Sequence, residues 1–135
     1  MRFMSKVQKR LRNEESGFTL IELLIVLVII GVLLAIAVPS YLGFKDRAER
    51  RAAASNVRAA IPSAEAYYQD QNPASYTGIG VGALQAIDAG LQLDSVAATG
   101  GGTGFCMQNT EGSYTFKYDA TSAATRANGV TLGTC

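Results

Sequence analysis

Histidine is absent from this chain of 135 residues. That removes the commonest general base and the commonest metal ligand, and with them any Ser/His/Asp or Cys/His catalytic set. Cysteine is scarce, with only Cys106 and Cys135. Two cysteines without histidine make a poor metal site. An even count in an exported domain reads as one disulfide ahead of free thiols. A large charge of either sign is also lacking: the formal net charge is +1, which gives no signal for a specific nucleic-acid partner. Gly78, Gly80 and Gly82 look like half a dinucleotide motif, but no strand is expected before them. Gly100-Gly101-Gly102 lacks the lysine of a phosphate-binding loop. Asp88 and Asp94 stand alone and make no calcium or acid/base pair. The sequence reads as non-enzymatic, with no cofactor and no metal.

What the chain has in quantity is one apolar run. From Leu23 to Val38 every residue is apolar or glycine, and counting from Phe18 gives 21 residues interrupted only by Thr19 and Glu22. About 20 helical residues span roughly 30 Å of hydrocarbon. The leader Met1 to Gly17 holds five basic and two acidic residues, a net of +3, and such a flank stays in the cytoplasm. A secretory signal is a poor match, because those signals are cut after the apolar region. A plain anchor leaves Glu22 unexplained, since a carboxylate inside a bilayer helix costs about 2.5–3.5 kcal/mol on insertion scales.

Gly17-Phe18-Thr19-Leu20-Ile21-Glu22-Leu23-Leu24-Ile25-Val26 resembles the class III signal of type IV prepilins, and the resemblance extends to about Gln71. It implies cleavage between Gly17 and Phe18 by a membrane prepilin peptidase, which also N-methylates Phe18. Glu22 is then the fifth residue of the mature chain, where the family places its assembly acid. Gly31 and Pro39 fall where family members carry helix-weakening residues. Cleavage leaves a cationic amine on Phe18 of every copy, and an acid on a neighbouring subunit can neutralise it, which offsets part of the burial cost.

The expected fold is α+β: a long N-terminal helix packed by its second half against a small antiparallel sheet. Residues 1–17 form the leader, 18–39 the transmembrane and assembly helix, 40–72 an amphipathic helix, and 73–135 a small head. Ala53, Val57, Ala60, Ile61, Ala64, Tyr67 and Tyr68 recur at helical spacing. Asp46 with Arg50, and Lys45 with Glu49, are spaced as i,i+4 pairs. Pro62 adds a mild bend. The helix is expected to stop near Gln71, because Asn72 precedes Pro73. In the head, 81–89 reads as a short helix with Leu84, Ile87 and Leu91 inward and Gly90 at its C-cap. About three strands follow, at 105–108, 114–118 and 130–134. A Cys106–Cys135 disulfide would close a loop of about 30 residues, worth roughly 3–4 kcal/mol in the chain-entropy model.

The resemblance implies a structural subunit, a major pilin, that polymerises into a helical homopolymer. Adhesion, motility, DNA uptake or biofilm growth are the uses such a fibre has. Its partners would be copies of itself, the prepilin peptidase/N-methyltransferase, and an assembly platform with cytoplasmic ATPases. The precursor would sit single-pass in the cytoplasmic membrane and the product in an extracellular pilus. The alternatives are a type II secretion pseudopilin, which usually lacks the C-terminal disulfide and often binds calcium, and a minor or competence pilin.

Overall fold

The computed structural model describes residues 17–135, so the expected leader lies outside the described residues except for Gly17. The chain divides into two units, one ending at Tyr41 and the other running Leu42–Cys135. Helix α1 covers Leu20–Asp70 and is continuous through Gly31, Pro39 and Pro62. In the first unit its side chains are apolar all round, a pattern that calls for cover on every side. Among the described residues every one from 17 to 41 is exposed. The helix is long and apolar enough to cross a membrane by length and composition.

The second unit is α+β. Beyond α1 it contains helix α2 (Val81–Ile87), strand β1 (Ser95–Thr99), a 3-10 turn at Gly100–Gly102, β2 (Gly104–Glu111), β3 (Tyr114–Asp119), helix α3 (Ala123–Ala127) and β4 (Val130–Leu132). The four strands lie in chain order as an antiparallel meander. From Ala53 to Ala64 the pattern becomes amphipathic, and Ala53, Ala54, Val57, Ala60, Ser63 and Ala64 are buried. These small residues form the face that the head covers. Val57, Ala60 and Ala64 share one core with Tyr76, Leu84, Leu91, Phe105 and Met107. Rings of Tyr68, Tyr76, Phe105 and Tyr118 pack in series, with centroids 4.6, 4.7 and 5.8 Å apart, distances at which tilted aromatic pairs attract.

The triple glycine has a structural reason at Gly102. Its carbonyl accepts the Tyr76 N–H at 2.9 Å, its φ is +93°, and a Cβ there would strike Ser75 and Thr77. The loop carrying the buried Tyr76 rests against that glycine.

Several local expectations differ from the structure. The sheet has four strands rather than three, because Ser95–Thr99 forms β1; its Ala97 and Ala98 are too small to announce a strand. Helix α3 is also additional, and its signal is a capping box in which Ser122 and Thr125 bond reciprocally. Helix α2 ends at Ile87 with Asp88 as its C-cap. Gly90 instead donates its N–H to the Asp88 carboxylate at 2.9 Å. Leu84 and Leu91 are buried, but Ile87 is 44% exposed. Lys45 and Glu49 form an ion pair at 3.3 Å. Arg50 does not pair with Asp46; its guanidinium sits 4.3 Å from the centre of the Tyr114 ring, a favourable cation–π placement.

Candidate functional site

The chemistry at the start of α1 comes from four residues. Gly17, Phe18 and Thr19 precede the helix, and all are exposed. Thr19 takes the N-cap position, and Glu22 stands three residues on. The Thr19 N–H and hydroxyl both donate to one Glu22 carboxylate oxygen, at 2.8 and 2.9 Å. In return the Glu22 N–H donates to Thr19 Oγ1 at 3.3 Å. This is a capping box, which satisfies backbone donors that a helix start leaves open. The Thr-x-x-Glu spacing is a capping-box signature in the sequence itself. The acid therefore has a role inside its own chain.

Around this cap the surface is apolar. Phe18 is 84% exposed, and an apolar notch is lined by Phe18, Leu23, Ile25 and Val26 beside Glu22. Added Cβ atoms at Gly17 or Gly31 would meet nothing within 4 Å. Among the described residues nothing requires glycine at either position.

The second feature is the closure of the head. Cys106 and Cys135 form a disulfide with their Cα atoms 5.9 Å apart. The C-terminal residue is further held by its N–H, which donates to Gln108 Oε1 at 2.7 Å. Gly133 N–H donates to the Thr115 carbonyl at 2.9 Å. At the other end of β2, Asn56 of α1 donates to Asn109 Oδ1 at 3.1 Å and to Glu111 Oε1 at 3.2 Å. Two titratable groups of the head are displaced from their ordinary ranges. Burial pushes the Tyr76 phenol up, and its bond to Glu65 adds to this. Bonds from the Thr121 hydroxyl and N–H hold the Asp119 carboxyl below the usual carboxylate range. Among the described residues no group of three or more His, Cys, Asp or Glu could hold a metal.

Residues 12–38 match the prokaryotic N-terminal methylation motif. The matched segment contains the Gly17–Phe18 bond, the Thr19–Glu22 cap and most of the exposed apolar helix. Over its N-terminal half the chain resembles the pilin and pseudopilin superfamily. It is 37% identical over 73 residues to the type II secretion system core protein G of Aeromonas hydrophila, covering 54% of this chain and 51% of that protein. It is 36% identical over 63 residues to the type IV major pilin protein PilA of Myxococcus xanthus, covering 47% and 29%. The fimbrial protein EcpC of Eikenella corrodens is 35% identical over 95 residues, covering 69% of this chain and 60% of that protein. This pilin-like chain thus spans about half the length of the first curated relatives it matches. No solved structure gives a significant match.

Proposed function

We propose that this chain is a structural subunit that is cut between Gly17 and Phe18, N-methylated on Phe18, stored single-pass in a membrane, and then polymerised into a fibre. The observation that carries the proposal is a methylation motif over residues 12–38 on a helix whose apolar residues are exposed on every side in the single chain. Lipid covers that surface before assembly, and other copies cover it afterwards. The new amine at Phe18 lies one residue before the Thr19 cap, so on each copy a cation and the Glu22 carboxylate flank the same helix start. Pairing between copies neutralises both and sets the axial register. Gly31 and Pro39 are proposed as points where the helix yields in the fibre. Adhesion, twitching and export to an extracellular pilus belong to this same proposal.

The finer reading is a type IV pilin. The Cys106–Cys135 disulfide, which links positions 29 apart in the sequence, supports it. A type II secretion pseudopilin is the second reading, favoured by the several core protein G relatives. Mass spectrometry of surface-sheared material tests the common part. A chain beginning at N-methyl-Phe18 is expected, and an intact Met1 terminus confined to the membrane fraction would overturn it. Deleting the chain separates the two finer readings: loss of surface fibres marks a pilin, and loss of protein secretion with fibres retained marks a pseudopilin.

A further inference from the structure

Three arginines of α1 lie on one stripe. At 100° per residue, Arg47, Arg51 and Arg58 fall within about 40° of each other around the helix. All three are exposed. None forms an ion pair among the described residues, where Lys45–Glu49 is the one pair found. Asn56, which bonds the end of β2, lies roughly 140–180° around the helix from this stripe. On that Asn56 side the head opens a polar groove of about 430 Å³, lined in part by Gln85, Gln92, Asp94, Asn109 and Glu111. Asp94 is exposed, and Glu111 is already partnered by Asn56 at 3.2 Å. The unit thus carries an unpaired basic stripe on one side and, on the opposite side, a polar groove with the Asp94 and Glu111 carboxylates.

We propose that the Arg47, Arg51 and Arg58 stripe of one copy docks into the Asp94–Glu111 groove of a second copy. This rests on the assembly reading above and names the head contact it needs. The placement has a consequence for symmetry. Stripe and groove are different surfaces on opposite sides, so the contact is heterologous: each copy offers a stripe to one neighbour and a groove to another. Such a contact does not terminate in a two-fold dimer and propagates as a ring or helical fibre. An anionic lipid surface is the competing occupant of the stripe. The stripe runs about 16 Å along the axis, more than twice the roughly 5–8 Å of one headgroup layer, so lipid leaves Arg58 without a partner.

The test uses the full chain in cells that assemble it. Arg51→Glu and Asp94→Arg are each expected to lower fibre yield at least ten-fold, and the double variant to recover to within three-fold of wild type. Chains carrying Ser55→Cys and chains carrying Gln92→Cys, expressed together, are expected to give a disulfide-linked pair of copies. Wild-type fibres with neither rescue nor cross-link would overturn the contact while leaving the assembly reading intact. Arg47→Glu/Arg51→Glu that loses binding to phosphatidylglycerol vesicles but keeps its fibre yield would overturn it in favour of lipid. If the wild-type chain forms no fibre or pseudopilus polymer at all, the assembly reading fails and the proposal with it.

Discussion

The two stretches of α1 treat their apolar side chains in opposite ways. Up to Tyr41 they are large, branched and exposed, with Leu27 at 66% and Ile36 at 72%. From Ala53 to Ala64 the buried ones are small, and Val57, Ala60 and Ala64 are fully covered. The second stretch was built for a sheet in the same chain to lie close against it. The first is left uncovered by the described residues. What the difference teaches is that one helix carries a face covered by its own head and a stretch left uncovered, and substitutions should separate the two.

The largest effect is expected at the helix start, where capping and charge coincide on Glu22. Glu22→Gln keeps an acceptor within reach of the Thr19 N–H, since a capping box works with either residue, but it removes the charge. Fibre yield is expected to fall more than ten-fold, with cleavage after Gly17 unchanged on immunoblots. Thr19→Ala removes the cap, worth about 1 kcal/mol, and keeps the charge; its fibre yield is expected to fall far less. Normal fibres from Glu22→Gln would leave Glu22 with capping alone and would erase the contrast between the two halves at its most important residue.

Next in size come the interior of the head and its closure. Leu84 is fully buried, and Leu84→Ala is expected to cost about 2–5 kcal/mol. Leu27→Ala, in the exposed stretch, is expected to leave unfolding of the head within about 0.5 kcal/mol of wild type. Both are measured by denaturation of the full chain in detergent. Equal losses from the two would show that the units do not hold their stability separately. Replacing Cys106 and Cys135 together by serine is expected to destabilise the head by roughly 3–4 kcal/mol, the loop-closure value for this separation. The same denaturation curve reads that loss.

The same division explains what the sequence made legible. Long periodic or all-apolar signals were readable: α1, its small-residue face, and the alternation of Tyr114, Phe116 and Tyr118. The Thr19–Glu22 cap was readable too, as a spacing, but a carboxylate in an apolar run suggests charge before it suggests hydrogen bonds. β1 was not readable, because Ala97 and Ala98 carry little strand preference and become a strand only by pairing with Phe105 and Cys106 on β2. Helical spacing pairs Arg50 with Asp46, whereas Tyr114 reaches it from β3. The polar groove opposite the arginine stripe joins residues from α2, the segment before β1, and β2. No local pattern announces such a site. Contacts within one element were legible, and contacts between elements were legible only where bulk or periodicity marked both sides.

The smallest expected effect lies at the turn after β3. Asp119 accepts from the Thr121 N–H at 2.9 Å, and with the Thr121 hydroxyl this holds its carboxyl below the usual range. A depressed carboxyl favours the folded state when ionised. Its contribution is therefore complete above the unfolded value near 3.9 and disappears as pH falls through the lower folded value. Asp119→Asn keeps an acceptor for Thr121 and loses only the charge, so the head is expected to lose no more than about 0.5 kcal/mol at pH 7. That difference should narrow as both proteins are taken below pH ~3.9 and close only below the lower folded value, where the folded carboxyl takes up its proton. Melting the pair at both pH values checks this. A gap that persists in acid would mean that the turn depends on Asp119 for shape rather than charge. The head's ordering at that turn would then be steric, like the packing of Val57 and Ala60, with electrostatics left to the surfaces that meet other copies.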